Sequence, residues 1–345
     1  MNPNKRLYIG TDCGLTVMAG EGPAWRHYQD GLPGKFVRAM TSVRGRNAAY
    51  ACIVRDGLYA TWDGGATWQL ALAGNVHSVA VDPNDSNIVY AGTEPVSLFR
   101  SADGGRNWRE LTALKNQPES VTEKWWFPQY PHESHVLSIF VDWRDSRVLC
   151  VGLEHGGILR SSDGGAHWED LSEGIEYIDI HTVKGDPIHA DLYYTATARG
   201  FYRSDQQGRN WVFSERGLNR SYFHDLVVIP GAPPALFLTT ANGTPPAWVR
   251  KEKAQSAIFR SLDCGASWQQ LTGGLPASME RMIWNLSVDP DAPDDLYAGT
   301  GEAQGQRSEN VSSRGAVWVS KDRGDHWQTI YEGPNTIRSV AVGGA

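Results

Sequence analysis

The sequence predicts an all-β fold, a seven-bladed β-propeller of four-stranded antiparallel blades whose ring closes by pairing an inner strand near residue 340 with strands near residue 10. Three observations predict it. An eight-residue pattern, Ser/Thr-x-Asp-x-Gly-x-x-Trp, recurs along the chain, and a regular succession of short apolar runs accompanies it. One inner-type run near residue 340 has no blade after it, while three runs at the start lack an inner partner. Self-similarity of this kind marks repeat architectures, and 37 Gly, 14 Trp and 13 Tyr in 345 residues suit many short strands joined by tight turns.

Full copies of the pattern begin at Thr61, Ser101, Ser161, Ser261 and Ser320. A sixth begins at Ser204 with Gln206 in the Asp place, and a seventh is reduced to Gly22 and Trp25. The spacing reads as a hairpin: a strand ends at the Ser/Thr, the Asp carboxylate accepts turn N–H groups, Gly takes a left-handed conformation and Trp begins the next strand. Inner strands are expected at 37–43, 76–81, 135–141, 180–184, 223–229, 283–288 and 337–342, each but the last followed by a second and a third strand before the turn. Residues 6–10, 14–18 and 25–28 read as the second, third and fourth strands of a seventh blade. The chain is therefore expected to be one domain over 1–345, with blade seven formed by 1–30 plus 336–345. Closing the ring removes exposed sheet edges.

This motif resembles the Asp-box, or BNR, repeat of sialidases, xyloglucan-degrading glycosidases, sortilin-type receptors and the photosystem II assembly factor of cyanobacteria and chloroplasts. The resemblance covers nearly the whole chain and implies the propeller fold. It implies little about activity, because the repeat itself is structural. Seven blades and the lack of an Arg-Ile-Pro signature count against a true sialidase.

Composition narrows the classes. Thirty-two basic against 39 acidic residues give a formal charge of −7, which argues against a nucleic-acid partner. No window approaches the roughly 18 apolar residues of a membrane span, and residues 1–6 run into a strand pattern without an apolar signal region, so the expectation is a cytoplasmic protein with no membrane partner. Cys13, Cys52, Cys150 and Cys264 are far apart and form no CxxC pair, which argues against disulfides and a cysteine zinc site.

In this topology the connections into inner strands, and those from second to third strands, share one rim opposite the Ser/Thr-Asp turns. The long insertions map to this top rim: 111–133, 241–254 and 300–314. Long loops converging on one rim favour a binding face. Aligning the inner strands places Arg38, His77, Leu137, His181, His224, Trp284 and Arg338 at equivalent positions, with His135 two residues before Leu137 and so on the same strand side. Blades two to five thus each offer a His: His77, His135, His181 and His224.

Converging neutral imidazoles suit Fe, Mn, Zn or Cu, and Glu94 and Glu154 stand at second-strand ends where a carboxylate can orient a ligating His. The arrangement is similar, by site only, to the four-His iron of carotenoid-cleaving oxygenases and the manganese site of oligogalacturonate lyase. The leading expectation is a metal-dependent lyase, hydrolase or oxygenase acting on a small anionic or ring-containing substrate at the top of the channel. Glu94, Glu154 and His155 are its catalytic candidates. Arg38 and Arg338, adjacent across the junction of blades one and seven, would clamp an anion unless they pair with Asp12. Trp284 on the rim, with Trp125, Trp126, Phe127 and Tyr130 in the first insertion, would cover a small-molecule or saccharide substrate. Two alternatives stay open: a metal-independent glycoside hydrolase using an acid and base pair among Glu94, Glu154, Asp12 and Glu302, and a non-catalytic protein- or ligand-binding propeller.

Overall fold

Strands that must bury both faces read as unbroken apolar runs, and the second strands of this chain do so: Ala49–Ile53, Val89–Thr93, Tyr193–Thr197 and Ala235–Ala241 are buried at every position. The computed structural model describes residues 5–21, 24–128, 132–251, 253–303 and 314–344. They form seven four-stranded antiparallel sheets. Blades one to six run consecutively from the inner strands Val37–Ser42, Val76–Val81, His135–Val141, Ile180–Gly185, Tyr222–Ile229 and Met282–Asp289. The seventh is assembled from both ends: Ile337–Gly343 is its inner strand and pairs with Arg6–Thr11, which continues into Gly14–Ala19 and Arg26–Gly31. The expected ring closure is thus present in the sheet register, from Arg6 opposite Gly343 to Thr11 opposite Ile337.

Four of the seven outermost strands are short. Arg109–Glu110, Glu169–Asp170, Val212–Phe213 and Gln269–Gln270 each span two residues, a length that leaves little unpaired edge. The core lies between blades. For example, Tyr8, Leu15 and Val17 of blade seven pack with Val37, Met40, Ala49 and Ala51 of blade one. Each inner strand contacts the inner strands on either side, all the way round the ring.

The repeated turn is built as its spacing dictates. The Thr61 hydroxyl donates to Asp63 Oδ1 at 2.7 Å and accepts from the Gly65 N–H at 2.9 Å, while the Thr67 N–H and hydroxyl donate to the two Asp63 oxygens at 2.9 and 2.6 Å. Asp103, Asp163, Asp263 and Asp322 repeat this pattern. Gly65 sits at φ 91°, and a Cβ there would lie 2.8 Å from Val17, so only glycine suits the position. In the sixth copy the Gln206 side-chain oxygen accepts from the Asn210 side chain, at 2.8 Å. Gly22 lies outside the described residues, and Trp25 is buried against Tyr297.

Two of the three top insertions carry short helices, Glu119–Thr122 and Pro245–Lys251. Most of the third, 304–313, lies outside the described residues. No helix among the described residues is long and apolar enough to cross a membrane.

Candidate active site at the top rim

Each of the seven inner strands carries a β-bulge at the position the sequence alignment makes equivalent. The residue left without a cross-strand partner is Arg38, His77, Leu137, His181, Trp284 or Arg338, and in blade five His224 and Asp225 share the irregularity. A bulge frees one residue from the ladder and re-aims its side chain. Seven bulges at one height therefore present a ring of chosen side chains at the rim, and that ring is the scaffold of the site.

The imidazoles stand as two pairs. His77 and His135 have ring centroids 4.0 Å apart, and His181 and His224 5.2 Å. Carboxylates bracket the first pair. His77 Nε2 lies 2.9 Å from Glu94 Oε2, His135 Nδ1 lies 3.8 Å from the same oxygen, and His135 Nε2 bonds Glu154 Oε2 at 2.5 Å. Among the described residues, His77, Glu94 and His135 form the one cluster with three potential metal-ligand atoms all within 4.8 Å of one another. His181 and His224 are not part of it. Instead, His181 Nδ1 meets the Phe223 carbonyl at 2.5 Å, and both rings pack on Tyr222.

Asp179, which sequence reasoning did not single out, links the two halves. Its oxygens lie 3.6 Å from His155 Nε2 and 3.6 Å from His181 Nε2, it is 7% exposed, and Oδ1 accepts no hydrogen bond. The signal was available. Asp179 precedes the bulge residue His181 by two positions, as His135 precedes Leu137, and Tyr222 precedes His224 in the same way. The same offset applied to every blade would have marked all three.

These environments set the carboxyls apart. Burial pushes the Asp179 carboxyl above the usual carboxylate range, and the ionised Glu154 nearby adds to the shift. Burial also works to raise Glu154, but its hydrogen bond from His135 and the neighbouring positive groups prevail and hold it well below that range. The His77 hydrogen bond is the main influence lowering Glu94. Burial keeps His77 neutral, with its pKa lowered to about 4, and His224 likewise, at about 3. A carboxyl held up beside one held down is the arrangement that divides acid from base in a catalytic site.

The remaining candidates fall around this cluster. Phe127 covers both His135 and His155, with centroids at 5.5 and 5.3 Å. Trp125 anchors the first insertion against the core between blades two and three. Trp126 is 56% exposed and stacks on His132 at 5.1 Å. Tyr130 lies outside the described residues. Trp284 packs on His224 and Trp248, and the Arg338 guanidinium sits 4.3 Å above its ring. Arg38 and Arg338 make no ion pair with Asp12. Glu302 is buried at the junction of blades six and seven, where its N–H donates to Thr336 Oγ1 at 3.2 Å.

A propeller with a ring of charged and aromatic side chains on its top rim is the class of protein that fold and geometry define. No protein-family model matches the sequence. Among curated proteins the chain is similar to xyloglucanase Xgh74A of Acetivibrio thermocellus, 25% identical over 247 residues, which are 61% of this chain and 28% of that one. A xyloglucanase of Hypocrea jecorina is 22% identical over 342 residues, 92% of this chain and 35% of the relative. The chain thus spans about a third of the length of these relatives. Among solved structures, a Niastella koreensis GH74 enzyme superposes with TM-score 0.68 at 18% identity, covering 94% of this chain and 47% of that one. YCF48 bound to D1 peptide gives 0.56 at 17% identity, covering 96% and 84%. At these identities the structural likenesses establish the propeller fold.

Proposed function

We propose that this chain is a saccharide-directed hydrolase in which Asp179 is the general acid and Glu154 the general base, with Glu94 a second ionised carboxylate beside them. The observation that carries the reading is the convergence of these three carboxyls on one rim, bridged by His135 and by the His155–Asp179–His181 contacts. Glycoside cleavage needs one carboxyl that holds a proton to give to the leaving oxygen and one that is ionised to activate water or attack carbon. Asp179, buried among imidazoles, suits the first task. Glu154, 22% exposed and ionised, suits the second. His155 approaches Asp179 from the residue next to Glu154, so it can position the acid. The xyloglucanase relatives support a saccharide as substrate. Reducing-end release from xyloglucan oligosaccharides tests the reading. Turnover that drops at least a hundredfold in Glu154→Gln, with the fold intact, is expected; full activity in that variant would exclude the assigned role.

A second reading has one observation in its favour. His77 Nδ1 and His135 Nδ1 are buried without hydrogen-bond partners, and His135 offers its other nitrogen to Glu154, the carboxylate–histidine pairing that orients metal ligands. His77, His135 and Glu94 would hold a transition metal, Fe, Mn, Zn or Cu, which would polarise a bound oxygen; His181 and His224 lie outside this set. Elemental analysis after reconstitution with each ion decides it. Metal lost in His135→Ala and kept in His224→Ala is the expected result, whereas a chain that stays metal-free with all four ions rules the site out.

A further inference from the structure

Arg38 and Arg338 are the bulge residues of adjacent inner strands, held side by side because those strands are stitched together. The Met40 N–H donates to Ser339 Oγ at 2.9 Å, and the Ser42 hydroxyl donates to the Val342 carbonyl at 2.6 Å. Arg338 lies over two rings, 4.3 Å from Trp284 and 5.3 Å from Phe36, which fixes its plane. Both guanidiniums are half-buried, and the Nε of each is shielded from solvent without a hydrogen-bond partner. No carboxylate among the described residues pairs with either. Arg260, half-buried like them, does have one, 2.7 Å from Asp325.

Two desolvated guanidiniums side by side repel each other, and an anion supplied from outside relieves that repulsion. Burial lowers the pKa of Arg338 to about 10, the Asp12 charge works against that shift, and the neighbouring Arg38 charge adds to it. Planar donors stacked on aromatic rings match a carboxylate, which accepts two parallel N–H bonds. Glu94, Glu154 and Asp179 belong to blades two to four, with Arg38, the blade one member of the pair, near enough to act on Glu94 and Glu154. The geometry points to a substrate that carries its negative charge at one end and its reacting bond at the other. We infer that Arg38 and Arg338 form a clamp for the carboxylate of an acidic saccharide, a uronosyl residue being the chemical class that fits.

This inference rests on the saccharide reading above, and the test separates the two. Titration calorimetry at low salt compares glucuronic- and galacturonic-acid oligosaccharides with their carboxyl-reduced, neutral counterparts and with inorganic phosphate. The acidic forms are expected to bind the wild-type chain tenfold or more tightly than the neutral ones, the scale of one charge-assisted hydrogen bond. Arg338→Gln and, independently of any packing loss at Trp284, Arg38→Gln should abolish that preference while leaving neutral-sugar affinity unchanged. Equal affinity for acidic and neutral forms, or a preference that survives both variants, overturns the clamp. Phosphate binding that both variants lose, with no saccharide bound, keeps an anion clamp and removes the saccharide reading. No binding of any probe removes the clamp.

Discussion

Replacing Ile337 by Ala should destabilise the whole ring, because this residue joins the two ends of the chain. Ile337 is fully buried at the start of the closing strand and pairs opposite Thr11. Its side chain packs against two glycines: a Cβ on Gly299 would come within 2.9 Å of its Cγ2, and one on Gly315 within 2.9 Å of its Cγ1. A glycine has no side chain with which to fill a void. The cavity left by Ala would therefore persist, and the cost should lie in the upper part of the range for buried Ile truncation, about 2–5 kcal/mol. That is a large share of the roughly 5–15 kcal/mol that holds a typical domain folded. Val212→Ala, on a two-residue outer strand with its side chain 56% exposed, is the control and should stay within about 0.5 kcal/mol of wild type. Urea unfolding monitored by tryptophan fluorescence reads both. A single shifted transition is expected for Ile337→Ala, and removal of residues 336–345 should abolish cooperative unfolding. An Ile337→Ala midpoint equal to that of Val212→Ala would refute the claim that the closing strand secures the ring.

Three further outcomes are expected. His77 has a folded-state pKa near 4 against 6.5 when unfolded, so the unfolded chain takes up the proton first and stability falls as pH drops from about 6.5 to about 4. The loss is on the order of 3 kcal/mol for this residue, and a His77→Gln variant should show a flatter stability–pH curve in the same urea assay. Asp103→Ala removes the acceptor for the Ser101, Arg106 and Asn107 groups, so it should lower the melting temperature while leaving the rim's ligand affinities unchanged; a folded variant with selectively lost binding would contradict a structural role for that turn. Activity should fall on both sides of an optimum, on the acid side as Glu154 gains its proton and on the alkaline side as Asp179 loses the one that burial retains. A pH–rate profile for wild type and Asp179→Asn checks this, and an unchanged alkaline limb in the variant would disprove the assignment.

The blades were legible because each turn repeats a hydrogen-bonding pattern that only certain residues satisfy, and because Arg6–Thr11 and Ile337–Gly343 each lacked a partner. The height of the rim residues was legible too, since apolar alternation in the inner strands allows their alignment. The bulges were not. One extra residue in a strand looks, in sequence, like an ordinary polar interruption, and only the register shows that His77 and Arg338 have left their ladders. The division of the imidazoles into two pairs was hidden for a related reason: alignment fixes height along the strand, whereas ring-to-ring distance depends on the angle between blades. The two-residue offset from the bulge marks the position of Asp179 in the sequence, but its burial beside His155 and His181, from which its chemical interest comes, is set by packing between blades.

The assignment of Asp179 as general acid is the central claim, and leaving-group dependence tests it most directly. An acid is needed to cleave an unactivated oligosaccharide bond, whereas a dinitrophenyl glycoside departs without protonation. In Asp179→Asn, turnover on the oligosaccharide should fall at least a hundredfold, within the usual contribution of a positioned acid, while turnover on the dinitrophenyl substrate stays close to wild type. Equal loss on both substrates, or no loss on either, would contradict the account.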